Sequence, residues 1–428
     1  MATAPNLGTG GSVLDAQFGS SSTSNTNEPL ALAHTGTNYL YLPGVSGNYA
    51  SVPDSAALDI TGDIDIRVRV ALDDWTPSAA QVLLSKWLTS SGAQRSYALF
   101  VTSGGVLQLD TSADGTAVVS TAATVATGFT DGTAYWVRVT LDVDNGSGSR
   151  VGTFSYALDS ATEPTSWTAI GATVTTAGTT SLFASTSPLE IGGLNGGTLL
   201  VPAGKFYRAI VRNGIGGTVV LDADFTSGIT SGGQTSFVES SSNAATVTIN
   251  RSTSGRKSVA VVRPVWLLGT DDFFQVADND LLDFGTTDSF TVVAVVRRWT
   301  NAANNMLLAK RNAVTGDGYH LQGNASTWQM SLFSSVSVAP TVATTTSGAL
   351  SCVAGVVDRS AQTAVAYANS TAGSSASTSS LGSLATSDPF EIGRRNTVYG
   401  DFELLAAMVF RRALSATELA AIATYYGV

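Results

Sequence analysis

The sequence predicts an all-β chain of two tandem jelly-roll β-sandwiches closed by one short C-terminal helix. Three observations predict it. Short alternating segments are separated by turns rich in Gly, Asn and Ser, a pattern of sandwiches and barrels. A chain of 428 residues is too long for one ordinary hydrophobic core, so two domains are expected. The chain also repeats itself at a constant offset. Val52–Lys86 laid over Val276–Lys310 without a gap matches Val52 to Val276, Asp54 to Asp278, Asp59 to Asp283, Trp75 to Trp299, Leu84 to Leu308 and Lys86 to Lys310. Further on, Tyr97 and Leu99 answer Tyr319 and Leu321, and "PLEIGG" at 188–193 answers "PFEIGR" at 389–394. Matches in the same order over that length mark a duplicated domain.

The elements follow in order. Residues 1–37 are rich in Gly, Ser, Thr and Asn and read as an extended arm. The first sandwich is placed at 38–225. Within it "IDIRVRVAL" (Ile64–Leu72) alternates strictly, with Ile64, Ile66, Val68, Val70 and Leu72 on one side and Asp65, Arg67 and Arg69 on the other, a half-buried strand. "VLLSKW", "YALFV" and "VLQLD" are further strands, and "YWVRVTLDVDNGSGSRVGTFSYAL" is a hairpin turned at Asn-Gly. Residues 226–265 form a polar connector with room for two strands of its own. The second sandwich is placed at 266–428. It ends in "ALSATELAAIATYYGV", where Ser415 and Glu418 make a capping box and Leu414 and Leu419 a hydrophobic staple. Leu419, Ile422, Ala423 and Tyr426 give that helix one apolar face to dock on a sheet.

Composition narrows the function. Charged residues make up 13%, about half the ~25% of typical domains, which suits a component built into a larger assembly. A net charge of −10 without a basic cluster argues against nucleic-acid binding. The single Cys352 allows no internal disulfide. The opening "MATAPNLGTGGSVLDAQ" has neither the basic nor the apolar region of a secretion signal, and no run approaches the ~18 apolar residues of a membrane span. A soluble product made in the cytoplasm, without membrane insertion, is expected.

Several phrases together resemble the laminin-G-like, or concanavalin A-like, jelly roll over about 38–225 and 266–428. They are the "YxxVPDSxxLD" opening, the alternating strand ending in Trp, "LLxK", the "WVRVTLDVDNG" hairpin, "PLEIGG" and the final "LSATELAA" helix. The N-terminal wording, "NLGTGGSVLDAQFGSSS" followed by "NYLYLPGVSGNYASVPDSAALDITGDIDIRV", is similar to minor tail proteins of phages infecting actinobacteria. That resemblance implies a virion component near the tail tip, with other tail proteins and host envelope glycans as partners. A homo-oligomer in the assembly is expected, although no heptad seam marks its order. A capsid decoration or head-fibre protein, and a bacterial protein that binds or cleaves glycans, are the competing readings, since a fold alone does not decide function.

Candidate chemistry is sparse. Retaining glycoside hydrolysis needs two carboxylates about 5–5.5 Å apart. The hydrolases of this fold place them at alternate positions of one strand, whereas none of the seven Glu here belongs to such a cluster. Asp63 and Asp65 read instead as an exposed strand face. His34 and His320 lack partners for a triad or metal site, and Cys352 in "LSCVAGVV" reads as a small hydrophobe. No enzyme and no cofactor are expected. "DVDNGSG" (Asp142–Gly148) begins like a calcium loop but lacks a later acidic ligand, and its counterpart "DRSAQT" carries Arg359, so a hairpin turn is preferred and calcium is unsupported. For glycan binding, the candidates are Trp328 in "NASTWQM" and Tyr399 with Arg395 and Asn396 in "RRNTVYG", set against the common alternative of a buried aromatic.

The two copies also differ on one strand face. Asp65, Arg67, Arg69 and Ala71 correspond to Ser289, Thr291, Val293 and Val295. The first face is expected to meet water. Val293 and Val295 are expected at an interface covered by the connector, the first domain or a neighbouring subunit. Glu190 and Glu391, in the twice-used phrase, are expected to point away from the core, with no acidic partner nearby in sequence.

Overall fold

The computed structural model describes residues 3–4, 16–18, 30–89, 92–253, 255–269, 271–311 and 316–428. The chain forms two compact units, His34–Arg263 and Pro264–Val428, the latter including Met1–Ala33.

In the first unit, two antiparallel sheets face each other across one core. One sheet runs Val119–Ala122, Leu107–Thr111, Gln94–Val101, Gln81–Leu88, Leu189–Ile191, Tyr49–Val52, Thr246–Asn250, Ser236–Val238. The other is centred on Ile64–Leu72, which pairs with Tyr135–Asp142 on one side and Ala203–Asn213 on the other. Alternation does what the sequence predicts here: Ile64, Ile66, Val68, Val70 and Leu72 all enter the core, against Leu84, Tyr97 and Leu99 from the opposite sheet.

The segment expected to be a connector is built into this sandwich. Ser236–Val238, Thr246–Asn250 and Val259–Val261 are sheet strands, and Phe237, Val247, Ile249 and Ala260 enter the core. Its polar composition hides a short alternation, Val247 and Ile249 inward among Thr246, Thr248 and Asn250. Similarly, Leu30–Leu32, read as part of the arm, pairs with Val265–Leu268 at a sheet edge of the second unit. Ala16–Phe18 pairs with Phe274–Val276 of the same unit.

The second unit repeats the plan. Phe290, Val292, Ala294 and Val296 face Leu308, Tyr319, Leu321, Trp328, Met330 and Leu332 in its core. The twice-used phrase occupies one place in both sheets. Leu189–Ile191 lies between Gln81–Leu88 and Tyr49–Val52, and Phe390–Ile392 lies between Asn305–Lys310 and Phe274–Val276.

The helix Ala416–Tyr426 has the full Ser415/Glu418 capping box and ends at Gly427, whose φ of 75° a Cβ would strain. Its Leu419 and Ala423, with Leu414, pack over Val293, Val295, Cys352, Ala354 and Val356. This corrects the interface reading of Val293 and Val295. They are fully buried, and their cover is the unit's own C-terminal helix. Helix and strand face are apolar because each is the other's partner.

Candidate functional site on the first sandwich

The corresponding face of the first sandwich is covered too, but by charges. Asp65, Arg67 and Arg69 were expected to face water, yet Asp65 is 0% and Arg67 8% exposed. Register explains why counter-charges are required: Arg67 stands directly opposite Arg138 on the neighbouring strand, and like charges so placed repel. Asp65 resolves this by accepting from both, from Arg67 Nε at 3.0 Å and Nη2 at 2.6 Å, and from Arg138 Nε at 3.0 Å and Nη2 at 2.8 Å. Such two-pronged pairs are the strong form of the interaction. Burial alone would raise the Asp65 carboxyl, but the hydrogen bonds and charges of Arg67 and Arg138 outweigh it and hold it below the ordinary range.

The segment after strand Ser149–Leu158 closes over this face. Asp159 takes Arg69 through contacts of 2.6 and 3.0 Å. Glu163 accepts from Arg67 Nη1 at 2.5 Å and, through both oxygens, from Arg212 Nη2 at 2.9 Å. The Trp167 ring is half-buried and lies 5.5 Å from the guanidinium carbons of both Arg67 and Arg138.

Between these groups opens a cleft of about 400 Å³ lined by Arg67, Arg138, Arg212, Glu163, Thr165 and Trp167, with Pro164 at its wall. That volume lies within the usual range of small-ligand sites, about 300–1,000 Å³. The cleft offers an indole surface and planar carboxylate and guanidinium edges. Its cations are compensated by Asp65 and Glu163, so it suits a polar ligand with an apolar face better than a bare anion.

The residues singled out in the sequence fare differently. Trp328 is 0% exposed, part of the second core, and carries the Arg298 guanidinium 4.0 Å above its ring. The strand alternation that turns Met330 and Leu332 inward turns Trp328 inward with them, so it offers no ligand face. Arg395, Asn396 and Tyr399 do come together, on a hairpin pairing Arg394 with Tyr399 and Arg395 with Val398. Asn396 turns it at a φ of 56° and is exposed. Trp167 escaped the sequence reading because its segment has no periodicity. The available signal was indirect: arginines on adjacent outward strand positions demand a cover that supplies carboxylates.

Elsewhere, Asp142, Asp144 and Asn145 turn their side-chain oxygens onto the backbone N–H groups of Asp144, Gly146 and Ser147 at 2.9–3.1 Å, so they build the turn itself. Among the described residues no three His, Cys, Asp or Glu side chains gather as a metal would require. Cys352 is buried, which pushes its thiol up to about 11.

A family described as the Concanavalin A-like lectin/glucanases superfamily matches residues 268–420. No curated protein matches the sequence. Among solved structures, the binding domain of Paraclostridial Mosquitocidal Protein 1 is 15% identical, with 46% of this chain and 51% of that one covered at a TM-score of 0.33. Domains LG4-5 of the mouse laminin alpha1 chain are 11% identical over 92% of this chain and 96% of that one, at 0.30. The CBM40 of Ruminococcus gnavus IT-sialidase, solved with alpha2,3 sialyllactose, is 16% identical over 33% of this chain and 91% of that one, at 0.28. The chain spans about half the length of the first of these, and 48% of the similar botulinum neurotoxin serotype G binding domain. Among the described residues the fold is a laminin-G-like β-sandwich architecture, all-β apart from short helical segments, the longest of them Ala416–Tyr426.

Proposed function

We propose that the chain is a non-catalytic adhesion protein whose first sandwich holds a glycan in the Trp167 cleft. The observation that carries this is the half-buried Trp167 ring set beside Glu163, Arg67 and Arg212 in an open concavity. A sugar presents an apolar C–H face and a rim of hydroxyls, which match an indole surface and planar polar edges. Catalysis is disfavoured by the cleft's own carboxylates. Glycoside hydrolysis needs a carboxylic acid that keeps its proton near neutrality. Asp65 is held below the ordinary range, and both Glu163 oxygens accept from arginines.

On this reading the protein is a virion component near a phage tail tip, made in the host cytoplasm and displayed toward envelope glycans. It would contact other tail proteins, with a homo-oligomer in the assembly. The similarity of its N-terminal wording to minor tail proteins of actinobacterial phages supports that placement. Immunogold labelling of intact particles tests it: label at the tail tip is expected, and label confined to the capsid, or none, overturns it. Polysaccharide turnover by the purified protein would overturn the non-catalytic reading.

A further inference from the structure

The duplication supplies an internal control for how one sheet face is closed. In the second sandwich the outward face of Phe290–Arg297 lies under the C-terminal helix, through Leu414, Leu419 and Ala423, all apolar and all buried. In the first sandwich the corresponding face of Ile64–Leu72 lies under residues 159–169, none of which is buried. Ser160, Glu163, Pro164 and Trp167 are half-buried and the rest are exposed. This cover leaves the sheet at Leu158 and returns at Thr168–Ala169, which pair with Tyr156 and Ser155 of the strand it left. Its two ends are thus fixed side by side, as in a compact surface loop that moves as one flap.

Charge holds this flap down. Asp159 accepts from Arg69 at 2.6 and 3.0 Å, and Glu163 bridges Arg67 and Arg212. Trp167 lies against the guanidiniums of Arg67 and Arg138, and the Trp136 indole N–H donates to the Ser160 carbonyl at 3.0 Å. The arginines belong to the sheet, and two of the carboxylates that compensate them arrive with the flap. Those carboxylates are the exposed halves of their pairs: the Asp159 and Glu163 side chains are 44% and 22% exposed, those of Arg69 and Arg67 6% and 9%. Ordering a segment of this length costs conformational entropy, which apolar burial offsets under the helix of the second sandwich. The flap brings only Pro164 and Trp167 for that purpose, so its ion pairs decide whether it stays closed.

We propose that residues 159–167 are a lid latched by Asp159 and Glu163, closed at low ionic strength and lifted as salt screens the latch. The Debye length shrinks from about 10 Å at 0.1 M salt to about 3 Å at 1 M, and ion pairs with water-exposed carboxylates are the ones it weakens. The helix seal of the second sandwich has no such dependence, since apolar burial is not screened. Trp167 rides on the lid, so lifting it takes the cleft apart. That consequence rests on the glycan reading, whereas the lid itself does not. An uncharged oligosaccharide then binds more weakly at high salt although it carries no charge to be screened.

The test is hydroxyl-radical footprinting of the full chain in 0.1 M and 1 M NaCl, read by peptide mass spectrometry. Oxidation of Trp167 is normalised to Tyr425, which is 82% exposed, so that loss of radicals to chloride cancels. The Trp167 ratio is expected to rise threefold or more at 1 M. Trp75 and Trp328, both 0% exposed, are expected to stay protected, which separates lid opening from unfolding. Glu163→Gln keeps the side chain's shape and removes its charge. It is expected to raise the Trp167 ratio already at 0.1 M and to flatten the response to salt. A Trp167 ratio that salt leaves unchanged, or that is equal in wild type and Glu163→Gln, overturns the lid. A neutral oligosaccharide that binds equally at both salt concentrations, while the footprint changes, overturns the link between lid and cleft. Absence of any binder strikes the glycan reading and leaves the footprint to decide the lid.

Discussion

The Lys310 ammonium lies 2.6 Å from the Asp278 carboxylate and donates to the backbone oxygens of Thr386 and Asp388 at 2.9 Å each. Asp283 stands 3.1 Å away. Lys86 is held in the same way in the first sandwich, by Asp54 and by the Ser185 and Ser187 carbonyls. Both ammonium side chains are fully buried, on residues that pair across the sheet with Tyr97 and Tyr319. The recurring Asp, Asp and Lys identities are thus one structural device used twice. It ties the loop before the twice-used phrase to the opening strand.

Removing one partner of a buried ion pair costs roughly 3–5 kcal/mol, because the other charge loses compensation. Lys310→Met leaves carboxylates that water can reach, Asp278 at 40% and Asp283 at 20% exposed, so its expected cost is the lower end of that range, about 3 kcal/mol, with the part-buried Thr386 and Asp388 carbonyls also losing their donor. Asp278→Asn should cost less, because Asp283 still stands 3.1 Å from the buried Lys310 ammonium and compensates it. Urea unfolding measures both. An unchanged midpoint for Lys310→Met would contradict this account.

The C-terminal helix seals the outer face of a strand whose counterpart in the other sandwich is sealed by arginines and carboxylates. Leu419 is the centre of that seal. Leu419→Ala is expected to cost about 2–5 kcal/mol. It should also open access to Cys352, which lies beneath the helix and whose thiol is shifted up to about 11 by burial. Modification by a thiol reagent reports this directly: slow in wild type, faster by an order of magnitude in the variant. Equal rates would mean that something other than the helix covers Cys352.

His320 gives stability a pH dependence of defined sign. Burial, then the charges of Arg395 and Arg311, lower its ring to about 3 in the folded protein, whereas an unfolded chain has about 6.5. The unfolded state therefore binds the proton more readily between those values. The contribution of His320 is full above about pH 6.5 and is lost progressively as pH falls toward 3. Depressed carboxylates such as Asp65 lose stability in the same direction, so the comparison must be between variants. His320→Gln is expected to show a shallower decline of unfolding free energy between pH 6.5 and 4. Parallel curves for the two proteins would remove His320 from the account.

Much of the fold was legible because two patterns were strong. The 224-residue offset was visible as identities, and Ile64–Leu72 alternates without error. The capping box at Ser415 was also readable, since it depends on residues three apart. Other features depend on long-range partners. The apolar helix face and the apolar pair Val293 and Val295 were each visible, but not that each covers the other. Glu190 and Glu391 look alike in sequence, each without an acidic neighbour, and nothing there tells what each would hold. Glu190 accepts the backbone N–H groups of Gly196 and Gly197 at 2.7 and 2.8 Å, and Glu391 pairs with Arg394. Their loops carry different payloads on one scaffold. Trp328 took the buried alternative set against it, as the period-two pattern shared with Met330 and Leu332 already indicated. Trp167 lies in an aperiodic cover, and only the demand of Arg67 and Arg138 for counter-charge hinted at it.

The claim on which the functional reading rests is that the Trp167 cleft holds a sugar. The direct measurement is binding of the full chain to a microarray of neutral hexose and pentose oligosaccharides, followed by titration of the strongest binder against wild type and Trp167→Ala. Loss of the ring is expected to weaken binding tenfold or more, about 1.4 kcal/mol, with the melting temperature nearly unchanged. Failure of wild type to bind any such oligosaccharide, or equal affinity in the Trp167→Ala variant, would contradict it.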